Sequence, residues 1–166
     1  MSNYEQLPET LLILERRSPM PTKTVAPRGR PRMIARHRIA LGLRPELAEV
    51  GRARHELRDR LAEWRLSEAA DVALIVLSEL VGNALQHAPC PSIALTVTAA
   101  DGHVLIEVRD SSRRPPVIDR GPDRYGETGR GLPLVAALSR DWGWTPHENG
   151  TKTTWAVVAA LVREPA

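Results

Sequence analysis

One apolar stretch, residues 73–88, constrains the fold of this chain more than any other part of the sequence. It reads Ala-Leu-Ile-Val-Leu-Ser-Glu-Leu-Val-Gly-Asn-Ala-Leu-Gln-His-Ala, which is apolar on nearly every side of a helix. Glu79, Asn83 and His87 interrupt it at a spacing of four, and this spacing places them on one helical face. Isolated charges are rarely buried without a partner or a function. The stretch therefore predicts a core helix that carries either the floor of a binding site or a hydrogen-bonded polar seam.

The composition limits the class of protein. The chain has 166 residues, of which 42% are hydrophobic and 26% charged, values that are typical of a single globular domain. No run reaches the roughly 18 apolar residues that a membrane span needs. The N-terminus has no secretory pattern, and the single cysteine, Cys90, excludes an internal disulfide. We therefore expect a cytoplasmic protein without a membrane partner.

The positive charge is concentrated near the N-terminus. Residues 1–38 hold eight Arg or Lys against three Glu, a net charge of +5, whereas residues 39–166 carry −2. Because the first segment is also rich in proline, we predict a flexible basic arm over residues 1–34 and a folded domain over 35–166. The arm is interpreted as a solvated tail or as a contact to nucleic acid or to an acidic partner.

Hydrophobic periodicity predicts the order of the remaining elements. Apolar residues at three- and four-residue steps indicate an amphipathic helix, and alternation indicates strands. Long loops within compact domains are typically lids, binding loops or disordered. The chain is predicted to be α+β, a two-layer sandwich with a mixed, mostly antiparallel sheet and helices on one face. The predicted elements are an edge strand at 36–43, helices at 46–65 and up to residue 88, a hairpin of strands 92–100 and 103–109 turning at Asp101-Gly102, a loop at 113–128, a helix at 132–140, a short strand at 142–144 and a last strand at 151–161.

Four segments are candidates for the walls of a site. Glycines at the start of a helix let backbone N–H groups approach a phosphate closely. A carboxylate at the end of a strand can read an amine or close the strand in an Asx turn. An amide oxygen in a core helix can hold Mg²⁺ or serve helix packing. The segments are Glu79/Asn83/His87 on the core helix, Asp110 at a strand end, Gly129-Arg130-Gly131-Leu132 at a helix start and Gly150-Thr151 before the last strand.

In this order the four segments resemble the Bergerat, or GHKL, ATP-binding fold of type II topoisomerases, heat-shock protein 90, sensor histidine kinases and mismatch-repair ATPases. Within it, Ser-Glu-Leu-Val-Gly-Asn-Ala-Leu-Gln-His-Ala over residues 78–88 is similar to the anti-sigma-factor serine kinase branch, whose stand-alone members are common in actinobacteria. The resemblance covers about residues 38–160. It departs after Asp110, where Ser111-Ser112 replaces the glycine-containing step of many relatives.

The resemblance implies roles for individual residues. Asn83 would be the Mg²⁺ ligand, Glu79 the catalytic carboxylate and Asp110 the acceptor for the adenine amino group. His87 is interpreted as scaffold, and Lys152 is expected to be solvated. The remaining residues that the resemblance assigns to ATP are Gly129, Gly131, Leu132 and Thr151, the last supporting Asp110 through water. Arg124 and Arg130 are interpreted either as positive charges at the β- or γ-phosphate or as surface arginines.

The expected function is that of an ATP-binding regulatory protein. The resemblance implies a serine/threonine protein kinase with ATP and Mg²⁺, which transfers the γ-phosphate to an anti-sigma-factor antagonist and thereby controls a sigma factor. Relatives of this kind are usually homodimers. Two alternatives stay open: a nucleotide-dependent protein-binding module without transfer, and a DNA-associated regulator that uses the basic arm. Of these partners, nucleic acid is the least expected.

Overall fold

The computed structural model describes residues 23–87, 92–118 and 131–160. Within them the structure contains seven strands, three α-helices and one short 3-10 helix. The strands are β1 (Lys23–Thr24), β2 (His37–Leu43), β3 (Ile93–Ala100), β4 (His103–Asp110), β5 (Val117–Ile118), β6 (Asp141–Pro146) and β7 (Lys152–Ala159). The helices are α1 (Leu47–Glu63), α2 (Ala70–His87) and α3 (Gly131–Leu138), with the 3-10 helix at Ser67–Ala69 before α2.

Five strands form one sheet in the order β2-β3-β4-β7-β6, and all four neighbouring pairs are antiparallel. The predicted hairpin between β3 and β4 is confirmed. Asp101 and Gly102 both have positive φ, 48° and 72°, which suits a two-residue turn whose twist matches that of the strands. The central position of β4 and β7 brings Asp110 directly opposite Lys152 across the sheet.

The helices cover one face of the sheet, which we call the inner face. Helix α2 packs against β4 and β7 and also against α1 and α3, so it is the central element of the helical layer. Its predicted apolar character is explained by this position, since Val76, Leu77, Leu80 and Val81 are all buried. The predicted α+β architecture with helices on one face is therefore confirmed.

The opposite, outer face is covered in part by residues 25–36. Met33 packs on a buried cluster of Leu105, Trp155 and Val157. Farther along the segment, Arg28 donates its backbone N–H to Trp144 O, at 2.8 Å. The second part of the predicted arm thus lies against the sheet, while the division of the chain at residue 34 stays a prediction.

Two short strands extend these contacts. β1 pairs with β5 in an antiparallel two-stranded sheet, in which Lys23 is opposite Ile118 and Thr24 is opposite Val117. β5 lies inside the segment predicted to be an irregular loop, so that prediction was wrong for residues 117–118. Over the described ranges, no helix combines the length and the apolarity that crossing a membrane requires.

Candidate functional site

The polar face of α2 is the first part of the candidate site. Glu79 and Asn83 are half-buried, whereas their helical neighbours Leu80, Val81 and Ala84 are buried. Both polar side chains therefore lie at the boundary between the core and an accessible space. The side chain of His87, the third residue of this face, lies outside the described structure.

The start of α3 closely approaches the carboxylate of Glu79. A Cβ atom added to Gly131 would lie 2.6 Å from Oε2 of Glu79, closer than real Cβ atoms come to other heavy atoms. Only glycine permits this approach without displacing the carboxylate. The first N–H groups of a helix and its macrodipole favour negative charge, so the junction of Gly131 and Glu79 combines an acid with an anion-attracting helix end.

Leu132, the next residue, is buried and anchors this end of α3 in the core. Arg124, Gly129 and Arg130, which were also predicted to contact the nucleotide, lie outside the described residues. Their assignment stays a prediction that rests on the sequence.

Asp110 is the second part of the candidate site. It ends β4 and is 3% exposed. Its Oδ1 accepts a hydrogen bond from the backbone N–H of Ser112 at 2.8 Å and an ion-paired hydrogen bond from Nζ of Lys152, also at 2.8 Å. A buried carboxylate needs such partners, because removing an ion from water without compensation is costly.

The expectation that Lys152 is solvated was wrong. Lys152 is 2% exposed and is one of the largest fully buried side chains of the molecule. The reason is strand register: Lys152, Thr154, Ala156 and Val158 alternate onto the inner face, opposite Asp110 and the apolar residues that precede it in β4. This alternation is visible in the sequence and would have placed Lys152 beside Asp110, had β7 been paired with β4.

The hydrogen bonds of Thr151 connect its hydroxyl with Asn149 and Arg109 and not with Asp110. Its hydroxyl donates to Oδ1 of Asn149 at 2.7 Å and accepts from Nε of Arg109 at 2.9 Å. The described residue in direct contact with Asp110 from this part of the chain is therefore Lys152. A nucleotide contact of Thr151 stays a prediction. The preceding Gly150 has a φ of +82°, and a Cβ there would lie 2.5 Å from Nε of Arg113.

His147 lies next to this turn, and its surroundings change its affinity for a proton. Its Nε2 is 2.8 Å from Oγ1 of Thr153. Burial lowers the pKa of His147 below its ordinary 6.5, and the charges of Arg109 and Arg30 lower the pKa further. The fold therefore favours the neutral form of this imidazole.

The arrangement fits a nucleotide and Mg²⁺. Gly131 provides a cradle with no room for a side chain, and Asn83 offers the kind of oxygen that Mg²⁺ prefers. The buried hydroxyl of Thr154, on the same face as Lys152, has no hydrogen-bond partner among the described residues. Within those residues no group of three or more His, Cys, Asp or Glu could hold a metal, so a bound Mg²⁺ would take most of its ligands from phosphates and water.

Comparison with known proteins gives one family match. The family model described as histidine kinase-like ATPase domain matches residues 43–157. The matched segment begins at the last residue of β2 and reaches into β7, so it includes Glu79, Asn83, Asp110 and Lys152. A search of curated proteins finds no match.

Proposed function

Because this chain belongs to the histidine kinase-like ATPase domain family, we propose that its ATP-binding site serves a serine/threonine protein kinase of the anti-sigma-factor type. The observation that carries this proposal is the contact between Gly131 and Glu79. It brings a carboxylate to a helix N-terminus, which is where the phosphates of a nucleotide are favoured. The substrate would be an anti-sigma-factor antagonist. Its phosphorylation would change its affinity for its partner protein and would thereby control a sigma factor.

In the proposed reaction, Glu79 acts on the hydroxyl of the partner's serine or threonine. The carboxylate accepts the hydroxyl proton, the hydroxyl oxygen bonds to the γ-phosphorus, and the bond between that phosphorus and the β–γ bridging oxygen breaks to release ADP. Asn83 would hold Mg²⁺, which when bound neutralises phosphate charge. The N–H groups at the start of α3 would orient the phosphates, and Asp110 would hold the base.

The proposal is tested by separating binding from transfer. Glu79→Gln keeps the size of the side chain and removes the base, so transfer from labelled ATP to the purified antagonist should fall roughly 100- to 10,000-fold. The affinity for ATP, measured by calorimetric titration, should change little. Glu63→Gln, an exposed position on α1, is the matched control. Undiminished transfer by the Glu79 variant would exclude the catalytic role.

A nucleotide-dependent binding module is the second candidate. It is favoured by the departure from the family pattern after Asp110, where Ser111-Ser112 stands in place of the glycine-containing step of many relatives. In that case ATP would change the affinity for the partner protein without any transfer. A pull-down of the antagonist with ATP, ADP or no nucleotide, together with a transfer assay, distinguishes the two candidates.

The DNA-binding alternative receives less support. Two arginines of the basic segment are already paired, since Arg28 lies 2.8 Å from Asp141 and Arg30 lies 2.6 Å from Glu107. Charges that are neutralised within the chain contribute less to phosphate binding. DNA binding that weakens steeply with salt and is lost with residues 1–22 would favour it.

A further inference from the structure

The ion pair of Asp110 and Lys152 ends a series of inner-face pairs in which the other residues carry no charge. Going along β4 towards its end, the cross-strand pairs are Val104 with Val158, Ile106 with Ala156, Val108 with Thr154, and finally Asp110 with Lys152. Both charged side chains are almost completely buried, at 1% and 2% exposure.

Stability alone does not account for this pair. Replacing a buried ion pair with well-packed apolar residues is often neutral or stabilising. The three preceding positions show that the same two strands accommodate smaller and less polar pairs. A ligand that needs both a hydrogen-bond donor and an acceptor would explain why the pair is present.

A second observation points to a polar occupant beside the pair. Thr154 is 1% exposed, lies two residues after Lys152 on the same face, and its hydroxyl has no hydrogen-bond partner in the described part of the chain. A buried hydroxyl without a partner is costly, so a group from outside the chain should reach it. The three side chains together form a polar floor in an apolar layer.

We infer that Lys152 is a specificity-determining residue that reads the nucleotide base together with Asp110, an inference that rests on the proposed ATP-binding function. The Watson–Crick edge of adenine carries a donor, the N6 amino group, next to an acceptor, N1. The pair presents the complementary groups, a carboxylate oxygen next to an ammonium. Asp110 accepts from N6, and Lys152 donates to N1.

The capacity of both groups allows this double contact. A lysine ammonium has three N–H donors, and within the described residues Asp110 takes one of them. A carboxylate has two oxygens and about four acceptor positions, and the contacts of Ser112 and Lys152 are both to Oδ1. The base can therefore bind without breaking the ion pair, which stays as the frame of the contact.

The test changes the ligand and leaves the protein intact. Calorimetric titration of the full chain compares ATP with 1-deaza-ATP, in which N1 is replaced by C–H, and with 7-deaza-ATP as the matched control. Loss of a hydrogen bond to a charged group should weaken 1-deaza-ATP roughly 10- to 100-fold. The affinity for 7-deaza-ATP should equal that for ATP, because the inferred contacts do not involve N7.

Protein variants identify Lys152 as the donor. In Lys152→Met, which removes the donor, and in the double variant Asp110→Asn with Lys152→Met, which leaves no unpaired buried charge, ATP and 1-deaza-ATP should bind with more nearly equal affinity than in the wild type. A merely structural lysine would instead weaken both nucleotides equally and preserve their ratio. Lys152→Arg keeps the charge and should retain a preference for ATP.

Three outcomes overturn the inference in different ways. Equal affinity of the wild type for ATP and 1-deaza-ATP would refute the contact to N1 and leave the proposed ATP-binding function standing. No binding of any of the three nucleotides to the folded wild type would refute the proposed function, and the inference with it. An ATP preference that persists unchanged in folded Lys152→Met or in the double variant would assign the contact with N1 to another donor and would also refute the inference.

Discussion

The inner and outer faces of the sheet each bury one carboxylate of β4, and the two carboxylates differ in the exposure of the cation that pairs with them. Asp110 on the inner face is paired with Lys152, and both side chains are excluded from water. Glu107, three residues earlier on the outer face, is paired with Arg30, whose side chain is 59% exposed. The first pair joins two central strands, whereas the second fastens the N-terminal segment to the sheet.

This difference separates two uses of a buried acid. On the outer face the cation comes from a segment that covers the sheet, and the pair holds that cover in place beside Met33. On the inner face the cation comes from the sheet itself, and the pair lies on the side where the helices form the candidate site. We therefore expect inner-face changes to affect nucleotide binding or transfer and outer-face changes to affect stability alone.

The largest effect is expected from Lys152→Met. It leaves the Asp110 carboxylate buried without its cation, which should lower the free energy of unfolding by roughly 3–5 kcal/mol. The measurement is urea denaturation followed by circular dichroism. The double variant Asp110→Asn with Lys152→Met carries no buried charge and should recover most of the loss. A loss below about 1 kcal/mol in the single variant would mean that water reaches Asp110, contrary to its burial.

The next effect concerns chemistry. In Gly131→Ala the new methyl group would meet Oε2 of Glu79, which is the end of a flexible side chain and can move aside. Stability should therefore change little, whereas a displaced carboxylate should slow the proposed phosphate transfer by up to roughly 100-fold. Transfer of labelled phosphate and thermal unfolding measure the two quantities.

Gly51→Ala is the matched control for this substitution. Gly51 is exposed on α1, and a Cβ there would meet no atom within 4 Å. It should stabilise the protein by about 0.5–1 kcal/mol, because alanine favours a helix interior, and should leave transfer unchanged. Equal transfer rates in the wild type and the Gly131 variant would show that Glu79 does not need its observed position.

The sequence predicted the inner face better than the outer face, for physical reasons. The period of α2 and the alternation of β3, β4 and β7 are strong signals, because these elements bury a whole side against one core. Asp-Gly, the pair at positions 101 and 102, is preferred in two-residue hairpin turns, so this turn can be recognised from the sequence alone. Their bounds accordingly differ from the prediction by a few residues at most.

The contacts between segments that lie far apart in the sequence were harder to predict. The alternation that contains Lys152 is visible in the sequence, but whether this lysine is buried depends on which strand lies opposite, and the sequence does not show that. The same holds for residues 25–36, whose prolines and arginines are typical of an unfolded arm. Their contacts with β6 and β4 depend on distant partners, among them Glu107 and Asp141, which lie 77 and 113 positions from the arginines that they pair with.

A smaller effect is expected from Arg30→Ala on the outer face. Because the arginine side chain is more than half exposed, its loss should cost about 1 kcal/mol of stability, the upper range for exposed pairs, and less at high salt. The affinity for ATP should stay that of the wild type. Arg32→Ala, on the same segment and without an ion pair among the described residues, is the control. A loss of ATP affinity in the Arg30 variant would contradict the expectation that changes on the outer face affect stability alone.

The smallest effect is the pH dependence that His147 gives to the outer face. Its pKa is lowered in the fold, so as the pH falls below the ordinary value of 6.5 the unfolded chain binds a proton that the folded chain does not. The contribution of His147 to stability is therefore complete above about pH 6.5 and is lost on acidification.

His147→Gln should reduce this loss, measured as the change in urea midpoint between about pH 7 and pH 5.5. Glu49 does not contribute in this window, because its hydrogen bond with Arg52 lowers the pKa of this acid below 4.5. Arg109→Gln removes one of the charges that lower this pKa and should flatten the decline by less, because burial is the larger cause. An unchanged slope in the His147 variant would mean that the imidazole is protonated equally in both states, contrary to its partly buried contact with Thr153.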